Sequence, residues 1–351
     1  MTSRSAAPDA DESEAVAPAP SPAVPATMRA AVAREYGTPE VVSIEEVPTP
    51  APADGEVLVR VEASSLNALD WHLLTGTPLF MRLISGLRRP KRTIHGADVA
   101  GTVVAVGSDV TKFGVGDAVF GECEGGGCAP YLSVEEDHIV AKSADVTFET
   151  AGATPVAGLT ALQGLRTHGR VQPGDHVLVN GAAGGVGTFA VQIAKALGAE
   201  VTAVCSTRNV DMVRGLGADH VVDYTTEDFV PGGPRFDVML DNVGNRTSKE
   251  VLSVLRPDAR YVVISGPKEN RLLGPVPHIM RTGLAFMRAE PSFHQFTASP
   301  NDDDLTFLGE LLADGTVVPE VQRVVGLDGV ADGLAEIGTG HTRAKIVVVP
   351  D

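Results

Sequence analysis

The sequence predicts an α/β protein centred on a doubly wound parallel sheet. Two observations carry that expectation. From about residue 148 to residue 289, short apolar strands alternate with amphipathic helical stretches, and repeated βα units pack as a parallel sheet with helices on both faces. Within that stretch, VNGAAGGVGTFAVQIAKALGAEV (179–201) crowds Gly181, Gly184, Gly185 and Gly187 into the joint between an apolar run and an amphipathic one.

The elements follow in order. Residues 1–27 contain Ala, Pro, Ser and acids but no aromatic, a composition that cannot bury enough surface to offset chain entropy, so they read as a disordered tail. The tail lacks the basic start and apolar centre of a secretory signal. Residues 28–150 read as short strands and turns, in EVLVRVEASSLN, DVAGTVVAVGSDV, GVGDAVFG and YLSVEEDHIVAK, where β-branched residues lie between Gly, Asp and Pro breaks. Residues 151–290 hold the alternating units: DHVLVNG, EVTAVCS, DHVVDY, FDVMLDNVG and RYVVISG as strands, GTFAVQIAKALG, NVDMVRGLG and KEVLSVLRP as helices. Residues 291–351 give a helix DDLTFLGELLADG, a short strand near Val317, a helix LDGVADGLAEIGTG and a strand AKIVVVP. Asp302, Asp303 and Asp304 suit the positive end of the first of these helices.

Composition excludes several function classes. The net charge of −17 argues against nucleic acid or an anionic membrane as partner. No apolar run approaches the roughly 20 residues of a membrane span. Cys123, Cys128 and Cys205 are too few for a disulfide framework or a four-cysteine zinc site. A reducing cytoplasm fits best.

The crowded glycines sit in a strand–turn–helix setting. The strand ends at Asn180, and the helix begins around Val186. In such a joint the first glycine makes a tight turn, the middle ones admit a pyrophosphate against the backbone, and the last lets helix pack on strand. Free N–H groups and the dipole of the helix N-terminus favour the phosphates. The next strand ends about 20 residues on, where NAD-binding chains usually carry an acid for the ribose 2′-hydroxyl. Here Cys205, Ser206, Thr207, Arg208 and Asn209 stand instead. Ser206 can donate a hydrogen bond and Arg208 offers a planar fork to a 2′-phosphate, so NADP(H) is the expected cofactor.

The stretches SSLNALDWHLLTG, HGADVAGTVVAVGSDVTKFGVGDAVFG, VAGLTALQGL, STRNVDMVRGLGADHVVDYTTEDF and HTRAKIVVV, together with the glycine joint, cover nearly everything after residue 27. They resemble the zinc-independent quinone oxidoreductases of the medium-chain dehydrogenase/reductase superfamily. The resemblance implies a Rossmann domain inserted in a GroES-like β-barrel catalytic domain formed by both ends of the chain, a cleft between the two, and a homodimer.

Zinc alcohol dehydrogenases resemble the chain in the same segments, but their ligand positions fall at Asn67, Ala97 and near Val156. Amide, methyl and isopropyl groups cannot replace thiolate and imidazole on zinc, so no metal is expected. The resemblance places Asn67 beside the nicotinamide ribose and substrate, with Asp70 at the same turn. Asn67 can then donate to a developing oxyanion. His72 stands where many quinone reductases have tyrosine, either as a proton shuttle or as a polar residue of the cleft wall. The resemblance further places Thr160 at the nicotinamide side, Tyr224 by the adenosine ribose-phosphate, Asn242 and Val243 near the nicotinamide ribose, Ile264 and Ser265 under the ring, and Arg343 and Lys345 on the returning C-terminal segment. The apolar and basic stretch His72–Arg92 reads as a lid or as a surface helix.

Hydride addition to a quinone or to the β-carbon of an enone spreads charge by conjugation and needs little beyond positioning and a few donors. A zinc-independent NADPH-dependent reductase of quinones or α,β-unsaturated carbonyls is therefore expected, with a small-molecule substrate. A zinc-free alcohol or aldehyde reductase and a non-catalytic NADPH-binding sensor or scaffold remain the alternatives, because fold alone does not separate them.

Overall fold

The computed structural model describes residues 24–233, 235–267 and 270–350. Most of the expected tail, residues 1–23, lies outside them. Thr27, placed by the sequence at the tail's end, instead opens the first strand.

The N-terminal part is built of short strands. β1 (Thr27–Ala33) and β2 (Val42–Pro48) pair as an antiparallel ribbon. β3 (Glu56–Leu66) is followed by helix α1 (Ala68–Thr75), the short α2 (Arg82–Ser85), β4 (Asp98–Val106), β5 (Ala118–Glu122), β6 (Tyr131–Glu135) and β7 (Ile139–Ala141). β3 pairs β4 and β6, and β4–β5–β7 continues the antiparallel sheet. Inward valines of β3 and β4, Val57, Val59, Val61, Val99 and Val103, fill its interior at 0–3% exposure. This is the alternation expected of a sheet with one buried face.

α3 (Phe148–Gly152) and α4 (Pro155–Leu162) lead to a parallel sheet. Its elements are β8 (His176–Asn180), α5 (Gly185–Ala196), β9 (Glu200–Cys205), α6 (Val210–Gly215), β10 (His220–Asp223), β11 (Phe236–Asp241), α7 (Ser248–Val254), β12 (Leu255–Val263), α8 (Val276–Phe286) and β13 (Ser292–Gln295). The spatial order is β10-β9-β8-β11-β12-β13, with every pair parallel. Strand order reverses between β8 and β11, so the crevice beyond their carboxyl ends is where such a sheet takes its ligand. Ser292–Gln295, assigned from sequence to the returning segment, completes this sheet: register with Arg260–Val263 of β12 holds it there.

The chain returns through α9 (Asp302–Ala313), β14 (Val321–Val325), α10 (Val330–Gly338) and β15 (Lys345–Val348). β15 pairs β3 antiparallel and β14 parallel, so the two ends of the chain share one sheet. The strand expected near Val317 starts four residues later. Pro319 has no N–H for a ladder, and Val317 is instead buried with its N–H on the Leu311 carbonyl. Asp304 is buried, and it accepts from Gln163, Asn301 and Arg166 as well as opening α9. It therefore ties α9 to the end of α4, beyond complementing the helix dipole.

The strand–helix joint makes a stability prediction. A Cβ on Gly187 would lie 2.2 Å from the Gly181 carbonyl oxygen, whereas a Cβ on Gly215 meets nothing within 4 Å. Gly187→Ala should destabilise by about 1–3 kcal/mol through overpacking against backbone. Gly215→Ala should stabilise by roughly 0.5–1 kcal/mol by relieving helical glycine entropy. Thermal or denaturant unfolding of the two variants measures the contrast, and equal effects would contradict it.

Candidate active site

A buried polar cluster lies where both ends of the chain meet. Asn67 precedes α1, Asp98 opens β4 and Lys345 opens β15. Lys345 is 2% exposed and Asp98 fully buried. Lys345 Nζ donates to Asp98 Oδ2 at 3.1 Å and to Asn67 Oδ1 at 2.5 Å. Asn67 Nδ2 donates to Asp98 Oδ2 at 2.8 Å, and the Val156 N–H donates to Asp98 Oδ1 at 2.7 Å. Ser65 Oγ donates to Asp98 Oδ2 as well. A buried charge is tolerable only when paired and hydrogen-bonded, and each member here satisfies another.

The Asn67 amide, offered by the sequence as an oxyanion donor, is committed to Asp98 through nitrogen and to Lys345 through oxygen. Its burial leaves no cheaper arrangement, since an unpaired buried amide costs a full desolvation penalty. The donor set also does not fit zinc. Ala97 and Val156 offer no ligand atom, and Asn67 Oδ1 already accepts from an ammonium. Among the described residues no cluster of His, Cys, Asp or Glu could hold a metal.

Beside this cluster opens a cavity of about 280 Å³. Leu69, Leu73, Ile94, Ala97 and Pro300 give its apolar wall; Asp70, His95, Glu122 and Cys123 give its polar one. Asp70 accepts from the N–H groups of Asn67 and Gly96, both at 2.8 Å. Burial nevertheless raises its pKa to about 6. Burial raises Glu122 to about 8, with the Asp98 and Asp70 charges adding to it. Burial lowers His95 to about 4 and raises Cys123 to about 12. Sequence reasoning missed Asp98, His95 and Glu122. The available signal was an acid or imidazole inside otherwise apolar strand segments, HGADVAG and AVFGEC.

His72 does not line this cavity. Its half-buried ring holds the Thr77 carbonyl through Nδ1 at 2.7 Å, securing the turn after α1. The following stretch reaches the parallel-sheet side, with Leu79 and Phe80 N–H groups on the Arg271 and Leu272 carbonyls. It thus bridges the two halves of the molecule.

The glycine joint fits a dinucleotide. Gly181 has φ +79 and its Cβ would strike Val243, while a Cβ on Gly184 would meet only the Gly181 carbonyl oxygen, at 3.7 Å. Gly185 and Val186 open α5, and the Thr188 N–H donates back to the Gly184 carbonyl at 3.0 Å. N–H groups at such an end are unsatisfied by the helix and suit phosphate. Asn209 Oδ1 and Asn242 Oδ1 are buried without partners. Orphaned buried acceptors around an open glycine turn are what a bound cofactor would satisfy.

The remaining residues group as follows. Asn242 Nδ2 donates to the Asn180 carbonyl, and Ile264 N–H to Asp241, at the carboxyl ends of β8 and β11. Val243 and Ser265 follow β11 and β12 there. Thr160 is on α4 with its hydroxyl on Val156. Ser206 and Arg208 follow β9, and Tyr224 follows β10 with its N–H on Cys205. Arg208 Nη2 donates to the His341 carbonyl and Arg343 Nε contacts Met212 Sδ, so the returning segment lies over this end. Ala344 N–H bonds Ala183, fixing Lys345 beside the glycine turn. The structure also brings in an acid the sequence had not placed here. Asp223 accepts from Thr207 Oγ1 and from Thr225, which hold it below the usual carboxylate range.

Known proteins match this arrangement. Residues 53–145 match the alcohol dehydrogenase GroES-like domain and residues 216–348 the zinc-binding dehydrogenase model. The chloroplastic quinone oxidoreductase QR1 of Triphysaria versicolor is 33% identical over 321 residues, 87% of this chain and 93% of that one. The chloroplastic NADPH-dependent alkenal/one oxidoreductase of Arabidopsis thaliana is 30% identical, covering 93% of this chain and 81% of that one. The quinone oxidoreductase structure from Coxiella burnetii superposes with TM-score 0.80 at 28% identity, over 92% of this chain and 99% of that one. With its two-ended GroES-like sheet and its Rossmann sheet, the chain belongs to the quinone oxidoreductase-like family of the medium-chain dehydrogenase/reductase superfamily.

Proposed function

We propose that this oxidoreductase uses NADPH to reduce quinones or α,β-unsaturated carbonyl compounds without zinc. The observation that carries the reading is the Asn67–Lys345–Asp98 network beside the apolar cavity. It sets a fixed ammonium against Asn67, which stands where the zinc relatives' first ligand would fall, and a divalent ion there would meet charge repulsion. A substrate whose conjugation spreads the incoming charge suits a site without a Lewis acid.

A bound nicotinamide supplies the hydride. The chain's own residues bind and orient. Gly181, Gly184, Gly185, Val186 and Gly187 receive the pyrophosphate at the α5 N-terminus. Ser206, Arg208, Asn209 and Tyr224 take the adenosine end, with Arg343 nearby. Thr160, Asn242, Val243, Ile264 and Ser265 line the nicotinamide end, and Lys345 holds the barrel side through Asn67. Asp223 weighs against a 2′-phosphate, but Thr207 and Thr225 engage its carboxylate. His72 positions the α1 turn. The three cysteines are free and buried, in keeping with a reducing compartment. No helix among the described residues is long and apolar enough to cross a membrane. The homodimer stays part of the proposal, with β13 at the edge of its sheet as the strand to pair.

The direct test is NADPH oxidation with quinone and enone panels in the presence of a chelator. Turnover should persist, and elemental analysis should find no stoichiometric zinc. Activity lost together with one tightly bound zinc per chain would overturn the reading, and turnover of simple aldehydes alone would favour an aldehyde reductase. Arg208→Ala should weaken NADPH by roughly 10- to 150-fold, the worth of one charge-assisted hydrogen bond, and leave NADH nearly unchanged. Equal losses for both cofactors would make Arg208 structural. Lys345→Met strands Asp98 as a buried unpaired charge, so it should cost about 3–5 kcal/mol. Adding Asp98→Asn should recover much of that loss in equilibrium unfolding; a double variant as unstable as Lys345→Met would contradict the pairing.

A further inference from the structure

The cavity beside the network holds two groups that neither the fold nor the cofactor site uses. His95 is 2% exposed, and its Nε2 has no partner; Glu122 Oε2 is likewise buried and unpartnered. Both side chains line the same cavity. β4 and β5 pair Asp98 with Glu122, so Glu122 lies one strand from the carboxylate that Lys345 neutralises. Buried polar atoms are almost always satisfied, and unsatisfied ones call for a partner the protein alone does not supply.

We propose that Glu122, in its protonated form, donates the hydrogen bond that seats the carbonyl oxygen of a small uncharged substrate in this cavity, with His95 as the second polar contact. The inference rests on the reading of the chain as a carbonyl or quinone reductase and names the feature its substrate must have: an oxygen acceptor, and no negative charge. Charge bookkeeping gives the second condition. α1 brings the acid Asp70 and β4 the acid Asp98, against one ammonium, Lys345, which is already paired, and a protonated Glu122 from β5 adds no positive charge. At the rim Arg92 is bound to Glu124, and the remaining wall residue able to ionise there is His138. A carboxylated ligand would enter a site rich in acids with no cation free to receive it, and like charges brought together in low dielectric repel strongly.

Burial, with the Asp98 and Asp70 charges, raises the Glu122 carboxyl to about 8, so it is mainly a donor at neutral pH and loses that proton as pH rises through 8. The neighbours titrate elsewhere: Asp70 at about 6, His95 at about 4 and Cys123 at about 12. The Glu122 variants assign the change between pH 7 and 9.

The test is calorimetric binding of cyclohex-2-enone, and of its ring-carboxylated congener 3-oxocyclohex-1-ene-1-carboxylate, to the full chain at pH 7, 8 and 9. For the wild type the Kd for the neutral enone should rise roughly tenfold from pH 7 to 9, following loss of the protonated fraction. Glu122→Gln keeps an amide donor, so its binding should stay near the wild-type pH 7 value at all three pH values. Glu122→Ala should bind about tenfold more weakly at pH 7 with no pH dependence. The carboxylated congener should bind at least tenfold more weakly than the neutral enone. A flat wild-type profile, Glu122→Ala binding as tight as wild type, or equal binding of the two congeners would overturn the proposal. Thermal melts identify a variant that has unfolded, and the wild-type profile stands without any variant. Turnover of quinones or enones with NADPH is scored separately. If turnover persists with Kd indifferent to pH and to Glu122, the inference fails and the reductase reading stands. If no member of either panel is turned over, the reductase reading fails, whatever the Kd profile.

Discussion

The buried pairing of Lys345 with Asp98 is the interaction on which the rest depends. It joins residues 247 positions apart and draws the last strand against the first long one. Two charges at this depth carry a heavy desolvation cost, and their mutual attraction offsets it only when the remaining lone pairs and protons are also used. Asn67, Ser65 and the Val156 N–H use them. The cluster therefore specifies geometry more than it adds stability. It fixes the start of α1, the start of β4 and the start of β15 relative to one another.

That fixed point governs the cofactor side as well. Lys345 is one residue beyond Ala344, whose N–H holds the Ala183 carbonyl in the glycine turn. The same returning segment receives Arg208 on the His341 carbonyl. Barrel and Rossmann sheet are thus tied at the glycine turn by a backbone bond and by the Arg208 side chain, and at the other end by the stretch after α1 lying on residues 271–272. The cavity lies on the barrel side, walled by α1, by the segment before β4, by the end of β5 and by Pro300.

The local pattern already determined much of this. Alternating strand and helix runs dictate the parallel sheet, and the glycine joint dictates a close phosphate approach, because both follow from steric rules that act within a few residues. Asn67, Ala97 and Val156 could be read as unfit for zinc from side-chain chemistry alone. Only the tertiary structure decided how those residues are used. Burial sets Asn67 between Lys345 and Asp98, and the turn after α1 brings His72 Nδ1 to the Thr77 carbonyl. Arg208 follows β9 and Asp223 ends β10, and the two segments come side by side only once those strands pair. Glu122 could not be seen as a proton-bearing wall of the cavity, because its pKa is raised first by burial and then by the charges of Asp98 and Asp70, 24 and 52 residues away in the chain. Propensity and motif act locally and are written in order along the chain. Burial, charge pairing and desolvation act between residues that only folding makes neighbours.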